Sequence, residues 1–273
     1  MEKIEDIVLR HSSRGMDILR KEMPGQYAEH AAKMILSWER KTVFLATGFF
    51  VEGYAETDGP SGTVFLALAL KKLGFNPVIV TDDFTRGFFE LKEIPVIYMP
   101  FSAGKDWCTS LLKEYAPSGI ISIERCGKNN DNDYANMRGV SIADKTARVD
   151  LLFEIASGQI PTIGVGDGGN EIGMGNVAPL IKERLSLVPC VVKTDMLVIA
   201  TVSNWGAYAI TAYLEKLSGT KVFMSYDDVH DYIAQTVKIG SIDGVLKEKT
   251  VSVDGFGMDV EKEIIEALQE AVC

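Results

Sequence analysis

The sequence predicts an α/β fold, a doubly wound and mostly parallel β-sheet with helices on both faces and a helical N-terminal extension. From residue 41 onward, short uninterrupted apolar runs alternate with longer amphipathic stretches. This alternation is typical of buried parallel strands joined by helices. The first 40 residues have helical periodicity and no apolar run of this kind. We therefore expect a single α/β domain over 1–273, with the helical extension at 1–40 and a Rossmann-like core at 41–273.

Seven apolar runs are predicted to be strands. Each is short, rich in Val, Ile, Leu or Phe, and bounded by Gly, Pro or polar residues, as buried strands usually are. In chain order these runs lie at 41–50, 76–83, 94–100, 119–124, 161–166, 194–204 and 250–255.

Ten segments are predicted to be helices. Their apolar residues recur at a helical spacing, Pro60 suits a first turn, and Gly74, Gly158 and Gly219 suit helix ends. In chain order the segments lie at 3–20, 26–40, 59–74, 84–92, 105–115, 143–158, 176–186, 205–219, 228–240 and 259–272.

The composition excludes several classes of partner. The chain has 28 Lys and Arg against 38 Asp and Glu, and this net charge of −10 leaves no basic excess to neutralise phosphates, so we expect no nucleic-acid partner. No uncharged apolar run approaches the roughly 18 residues that span a membrane, and the first 25 residues lack the apolar core of a signal peptide. The four cysteines, Cys108, Cys126, Cys190 and Cys273, have irregular spacings that indicate reduced thiols. We expect a cytoplasmic protein without a membrane partner.

Polar side chains follow five of the predicted strands. Because the carboxyl ends of parallel strands meet at one edge of a sheet, where ligands bind, we expect many of these residues to share a site. In chain order the groups are Glu56, Thr57, Asp58, Gly59 and Ser61; Thr81, Asp82 and Asp83; Glu124, Arg125 and Cys126; Asp167, Asn170 and Glu171; and Ser203 and Asn204.

The stretch GVGDGGNEIGMGN at 164–176 is the most informative motif. Six of its first twelve residues are glycine, and two carboxylates, Asp167 and Glu171, lie among them. The spacing GxGxxG matches a dinucleotide-binding motif, but a pyrophosphate would face both carboxylates, and no acidic residue ends the next strand. We therefore expect no bare dinucleotide here.

Two interpretations of this loop stay open. In one, Asp167 and Glu171 hold a hard cation such as Mg²⁺ or Mn²⁺. In the other, they meet the ammonium group of a substrate, while the N–H groups of the turn at Gly166, Gly168 and Gly169 bind an anionic group nearby. A zwitterionic ligand would satisfy both kinds of group.

Six motifs spread from about residue 45 to 257 resemble one known family. They are ETDGPSG (56–62), IERCG (123–127), NMRG (136–139), GVGDGGNEIGMGN (164–176), SNWGAYA (203–209) and DGFG (254–257). Together they resemble the C-terminal domain of D-glutamate cyclase. The resemblance implies a lyase that converts the amino acid D-glutamate to 5-oxo-D-proline and water. Two-domain members carry a further domain before this one, and we expect a stand-alone version here.

The roles of single residues follow from the chemistry of that reaction rather than from the resemblance. Asp167 and Glu171 are the candidate catalytic groups, which hold the ammonium and take its proton. The turn at 166–169 would supply N–H donors to a developing oxyanion. Arg125 or Arg138 would bind the α-carboxylate, the alternative being a structural ion pair for each. Asp58 either helps to bind a metal or caps the helix that follows it, and we favour the cap. The remaining candidates for substrate binding are Ser61, Glu124, Asn170, Ser203 and Asn204.

Two other functions stay open. One is a metal-dependent hydrolase or transferase acting on a phosphorylated or nucleotide ligand, with Asp58, Asp82, Asp167 and Glu171 around the metal. The other is a non-catalytic small-molecule sensor or subunit that works with a separately encoded partner domain. The sequence also leaves open whether the chain forms a homo-oligomer.

Overall fold

The strands form one parallel sheet and two short hairpins. The computed structural model describes residues 2–185 and 187–272. In chain order the strands are β1 (Thr42–Ala46), β2 (Phe50–Val51), β3 (Tyr54–Ala55), β4 (Asn76–Thr81), β5 (Val96–Tyr98), β6 (Gly119–Ile123), β7 (Thr162–Gly166), β8 (Met196–Ile199), β9 (Ser252–Val253) and β10 (Phe256–Gly257). The sheet has the order β5-β4-β1-β6-β7-β8, and all its neighbouring strands are parallel.

This strand order is that of a doubly wound nucleotide-binding fold. If the six sheet strands are counted along the chain, the order reads 3-2-1-4-5-6, and it reverses between β1 and β6. The register places Val43 beside Gly119 and Ala46 beside Ser122 across that reversal. The predicted α/β fold with a doubly wound parallel sheet is therefore confirmed.

Helices surround the sheet. They are α1 (Ile4–Ile7), α2 (Met16–Arg20), α3 (Tyr27–Ser37), α4 (Pro60–Lys72), α5 (Lys105–Tyr115), α6 (Asp150–Ala156), α7 (Ala178–Arg184), α8 (Ser203–Ser218), α9 (Tyr226–Ile239) and α10 (Met258–Val272). α8 packs against α3, α4 and α10, whereas α5 packs against α6. Right-handed crossovers put α4 and the α5–α6 pair on opposite faces of the sheet.

The crossing of α4 and α8 is close because Gly62 has no side chain. A Cβ at Gly62 would lie 2.8 Å from Ala207 Cβ and 2.9 Å from Asn204 Cα. The first turns of the two helices therefore touch backbone to backbone, directly beside the carboxyl ends of the strands.

Four of the predicted elements differ in the structure. The helix predicted at 3–20 is broken into α1 and α2, because the chain between them has left-handed backbone at His11 (φ 60°) and Gly15 (φ 84°). The helix predicted at 84–92 consists of two 3-10 turns separated by Gly87 (φ 92°). The helix predicted from 143 begins only at Asp150, and the strand predicted at 250–255 is a hairpin strand outside the sheet.

Three of the four cysteines and all the helices named above lie within the described residues. Cys108, Cys126 and Cys190 are buried free thiols, and Cys273 lies outside the described residues. Over the described ranges, every helix is too short or too polar to cross a membrane.

Candidate active site

A cavity of about 710 Å³ opens at the carboxyl edge of the sheet, beyond the point where the strand order reverses. This is the place where doubly wound folds bind their ligands. Its walls come from loops after β1, β6 and β7 and from the N-terminal and C-terminal segments. Among the charged and polar residues of this lining are Arg14, Glu56, Glu124, Arg138, Asp167, Asn170, Glu171, Lys247 and Asp254.

Asp167 lies at the centre of the charged part of this cavity. It directly follows β7 and is fully buried. Its Oδ1 accepts a hydrogen bond of 2.9 Å from Arg14 Nη1, which also forms an ion pair of 2.8 Å with Asp254 Oδ2. Its Oδ2 is buried and has no hydrogen-bond partner among residues 2–185 and 187–272. One oxygen of Asp167 is thus anchored and the other is available.

Glu171 is held by the glycine turn itself. Its Oε1 accepts the N–H of Gly168 at 2.9 Å, and its Oε2 accepts the N–H of Gly169 at 2.7 Å. A Cβ at Gly166 would lie 2.8 Å from Glu171 Oε2, so the carboxylate fits tightly inside the turn. The prediction that these N–H groups face an oxyanion of the substrate is therefore wrong for Gly168 and Gly169, because their donors are already used.

Glu124 approaches the same region from β6. It is buried, and its backbone is left-handed (φ 46°), which is uncommon for a residue with a side chain. Its Oε2 accepts a hydrogen bond of 2.6 Å from Ser203 Oγ at the start of α8. Such strained residues often occur at functional sites. The predicted grouping of Glu124 with Asp167 and Glu171 is present in the structure.

Asp58 caps a helix, but not the one that follows it. Its carboxylate accepts the N–H groups of Ser203 and Asn204 at 2.8 Å each, at the start of α8. The expected cap of α4 is instead provided by Asn204, whose Oδ1 accepts from Gly59 and Gly62. These residues lie beneath the cavity and are absent from its lining.

Ser61 and Arg125 are structural and do not face the cavity. Ser61 Oγ bonds Tyr208 Oη at 2.8 Å in a fully buried pair. Arg125 is completely buried, donates to Gly48 O and Ala147 O at 2.7 Å each, and forms an ion pair of 2.7 Å with Asp82. Neither Ser61 nor Arg125 belongs to the cavity lining, so the structure does not support the predicted contact of either residue with substrate. Arg125 forms the structural ion pair that the sequence left as its alternative, and its partner Asp82 belongs to neither of the carboxylate sets near the cavity.

Arg138 and Asn170 lie on the cavity wall. Arg138 is exposed at the mouth, on a turn in which its N–H donates to Asn136 Oδ1 at 2.9 Å. Asn170 Nδ2 donates to Ala135 O at 2.9 Å, and its buried Oδ1 has no partner in the described parts of the chain. Both predicted site residues therefore belong to the cavity lining.

Burial raises the pKa of six carboxyl groups above their ordinary values: Glu56, Asp58, Glu124, Asp167, Glu171 and Asp254. Neighbouring carboxylates cause an additional rise in some of these pKa values; Asp167, for example, further raises the pKa of Glu124 and of Asp254. Arg14 acts in the opposite direction on the pKa of Asp167. Because one guanidinium cannot balance six carboxylates, some of these groups hold protons near neutral pH or share a further cation.

Two sets of three carboxylates have the geometry of a cation site. In each set, one oxygen per residue lies within 4.8 Å of the others; the sets are Asp58, Asp167 and Asp254, and Glu124, Asp167 and Glu171. Carboxylate oxygens are the ligands that Mg²⁺ and Mn²⁺ prefer. Asp167 belongs to both sets, so the expected metal ligands, Asp167 and Glu171, do lie close enough to share an ion.

The charged residues of the cavity lining that were not among the predicted site residues include Arg14, Glu56, Lys247 and Asp254. Arg14 lies in a segment predicted to be helical, where nothing in the local sequence connects it with the sheet. Glu56 and Asp254 lie inside two of the motifs, ETDGPSG and DGFG; Glu56 is among the polar residues that follow a predicted strand, but the sequence assigns neither residue a specific role. An unexplained acidic residue inside such a motif was the available signal for both.

Comparisons with known proteins show the family of the chain. Residues 4–269 match the family described as D-glutamate cyclase-like, C-terminal. The human protein "D-glutamate cyclase, mitochondrial" is 33% identical over 223 residues, which are 71% of this chain and 36% of that protein, so the chain spans about a third of its length. A crystal structure of an exopolyphosphatase-related protein from Bacteroides fragilis has a TM-score of 0.41 and 12% identity, covering 90% of this chain and 57% of that one.

Proposed function

Because the chain belongs to the D-glutamate cyclase-like C-terminal family, we propose that its cavity is the active site of a lyase that converts D-glutamate to 5-oxo-D-proline and water. The observation that carries this proposal is the group of buried carboxyls around Asp167, which line a cavity of about 710 Å³. The human relative is a D-glutamate cyclase by name, which supports D-glutamate as the substrate.

The reaction moves two protons within the substrate. D-glutamate enters with an α-ammonium group and a γ-carboxylate. A C–N bond forms when the nitrogen attacks the γ-carbon, and a C–O bond breaks when an oxygen leaves. The nitrogen loses two protons and the departing oxygen gains two, so the overall reaction takes no proton from solvent. The site therefore needs groups that accept and return protons near neutral pH.

Asp167 and Glu124 are the proposed proton carriers. Asp167 has an available buried oxygen, and Glu124 lines the cavity beside it. Burial raises the pKa of both groups. One of the two, as a carboxylate, takes the first proton from the ammonium, and the other, as a carboxylic acid, gives a first proton to the departing oxygen. After the C–N bond has formed, the second group takes the remaining proton from the nitrogen and the first gives its proton to the same oxygen, so water leaves and both groups return to their starting states.

Glu171 has a different role in this proposal from the one that the sequence indicated. Both of its oxygens accept N–H groups of the turn, and these hydrogen bonds oppose the rise in its pKa that burial causes. A carboxylate held in this way is a poor proton carrier. We assign to Glu171 the task of fixing the turn that presents Asp167 and Asn170 to the cavity.

A divalent cation fits the same residues. Mg²⁺ or Mn²⁺ would be held by Glu124, Asp167 and Glu171, and when bound it would polarise the γ-carboxylate as a Lewis acid. A phosphorylated ligand fits less well, because the donors at Gly168 and Gly169 are used by Glu171 and the cavity is lined by carboxyl groups.

A ligand-binding domain without turnover of its own is the second candidate. It is favoured by one observation, that the chain matches 36% of the human relative's length. In that case the cavity would bind the amino acid, and the catalytic groups would come from a part of the relative that this chain does not match.

The test is chiral mass spectrometry of D-glutamate and L-glutamate incubated with the purified chain, with and without Mg²⁺ or Mn²⁺. We expect 5-oxo-D-proline from D-glutamate, and we expect none with the Asp167→Asn variant. If the folded protein binds D-glutamate but forms no product with either Mg²⁺ or Mn²⁺, the result would instead support the second candidate.

A further inference from the structure

Arg14 reaches the cavity from the segment between α1 and α2. This segment crosses the end of β8, where Thr201 N donates to Val8 O and Thr201 Oγ1 donates to Arg10 O, at 2.9 Å each. The left-handed backbone at Gly15 then turns the chain into α2. The break in the predicted helix is thus the feature that brings an arginine to the carboxyl edge of the sheet.

The guanidinium of Arg14 is anchored on one side and available on the other. Nη1 contacts Asp167 Oδ1 at 2.9 Å and Asp254 Oδ2 at 2.8 Å. Its Nε and Nη2 make no hydrogen bond within the described residues, and the side chain lines the cavity with 20% of its surface exposed. An arginine held in this way keeps a fork of donors that suits a carboxylate.

Arg14 is also the cation that lies deepest among those lining the cavity in the described chain. Arg138 is exposed at the mouth, and Lys247 forms an ion pair with Glu52 on the rim. Inside, the walls carry carboxyl groups, which repel any anionic group that is not faced by a cation. Arg14 is therefore the cation, among the described lining residues, that could offset this repulsion for a carboxylate deep in the cavity.

We propose that Arg14 binds the γ-carboxylate of the substrate and stabilises the negative charge that develops on its oxygen when the nitrogen attacks. This inference rests on the proposed function. The contact with Asp167 puts the available face of Arg14 next to a proposed proton carrier, where the departing oxygen receives its proton. As the C–N bond forms, the electron pair of the C=O bond moves to the oxygen that faces Arg14. The site then selects amino acids with a second carboxylate.

The experiment measures binding of three ligands by calorimetry: D-glutamate; glutarate, which has both carboxylates but no nitrogen; and D-norvaline, which lacks the γ-carboxylate. We expect the unaltered chain to bind D-glutamate and glutarate more tightly than D-norvaline. Arg14→Gln lowers the affinity for D-glutamate and for glutarate by about 10- to 100-fold, as expected for loss of charge-assisted hydrogen bonds. It leaves D-norvaline unchanged. Arg148→Gln, at an exposed arginine outside the cavity lining, leaves all three affinities unchanged.

A second variant protects the test against loss of folding. Arg14→Gln leaves Asp167 and Asp254 without their shared cation, whereas Arg14→Gln combined with Asp254→Asn removes one charge of each sign. Circular dichroism shows which variant is folded, and the ligand affinities are measured with that variant.

The outcomes separate this inference from the proposed function. Glutarate cannot cyclise, so Arg14-dependent glutarate binding supports the role of Arg14 even if D-glutamate gives no product. The role of Arg14 is overturned if a folded variant binds glutarate as tightly as the unaltered chain, or if the unaltered chain does not prefer glutarate to D-norvaline.

Discussion

Asp58 and Asn204 cap each other's helices, although 146 residues separate them in the chain. The Asp58 carboxylate accepts two N–H groups at the start of α8, and the Asn204 amide oxygen accepts two at the start of α4, at 3.0 and 2.7 Å. The two helix starts are thus locked together where Gly62 lets the backbones touch. Because α8 also carries Ser203, which bonds Glu124, this lock fixes one wall of the site.

We expect Asn204→Ala to destabilise the protein by about 1–3 kcal/mol, because it leaves the buried N–H group of Gly62 without an acceptor, whereas Gly59 N–H keeps Asp58 Oδ1 at 2.8 Å. The measurement is the free energy of unfolding in urea. Asn130→Ala, at an exposed asparagine, is the control and should change that free energy by less than about 0.5 kcal/mol. Equal effects of the two substitutions would mean that the reciprocal caps contribute nothing specific.

Asp167→Asn and Glu171→Gln should separate chemistry from structure. Asparagine keeps an acceptor for Arg14, so we expect Asp167→Asn to remain folded and to lose at least about 100-fold in product formation. Glutamine instead turns an NH₂ group toward one of the two N–H donors at Gly168 and Gly169, which should cost about 1–3 kcal/mol. Thermal unfolding and product formation are measured together.

Glu183→Gln, at an exposed glutamate on α7, is the control for the substitution at Glu171. If Asp167→Asn unfolds the chain while Glu171→Gln leaves its stability unchanged, the two roles are assigned the wrong way round.

Gly169→Ala should destabilise the glycine turn. Gly169 has φ 100°, a conformation that costs an alanine about 1–2 kcal/mol, and the added Cβ would lie 3.3 Å from Ile181 Cγ2. Gly168, by contrast, has no positive φ, so this strain argument does not apply to it. Gly25→Ala, where a Cβ would have nothing within 4 Å, is the control in urea unfolding. A Gly169→Ala variant as stable as the control would contradict the assigned strain.

The sequence predicted the sheet better than it predicted the site, for a physical reason. Apolar runs such as 119–124 and 161–166 report burial on both faces directly, and the strand-end rule correctly brought Glu124, Asp167, Asn170 and Glu171 together. Which donor pairs with which acceptor depends on distances in space. Arg125 and Ser61 have partners far away in the chain, and no local pattern distinguishes a buried, fully paired arginine from one that faces a ligand.

Arg14 illustrates the opposite error, because it lines the cavity but was not predicted to do so. A helical pattern over 3–20 favours a continuous helix, but the contacts of Thr201 with Val8 and Arg10 hold the segment in an irregular path. Tertiary contacts, rather than local helix propensity, therefore determine the backbone conformation of this segment, which places Arg14 among buried carboxyl groups.

Glu261 should make stability depend on pH. It is buried beneath α8, where it accepts hydrogen bonds from Trp205 Nε1 at 2.6 Å and Tyr208 Oη at 3.0 Å, and burial raises its pKa to about 7. Between its ordinary pKa of 4.5 and about 7, the unfolded chain has released this proton and the folded chain has kept it. Stability therefore falls as pH rises through that window, by up to about 1.4 kcal/mol per pH unit.

The Glu261→Gln variant cannot titrate at this position, so its free energy of unfolding should fall less steeply than that of the unaltered chain between pH 5 and pH 7, roughly the window in which this proton is released. Urea unfolding at half-unit intervals measures both slopes, and Glu270→Gln, at an exposed glutamate of the same helix, is the control. Because the comparison uses slopes, a constant loss from replacing one oxygen acceptor by an NH₂ group does not affect it. Parallel curves for the two proteins would show that Glu261 is ionised in the folded state throughout, with Trp205 and Tyr208 stabilising its charge.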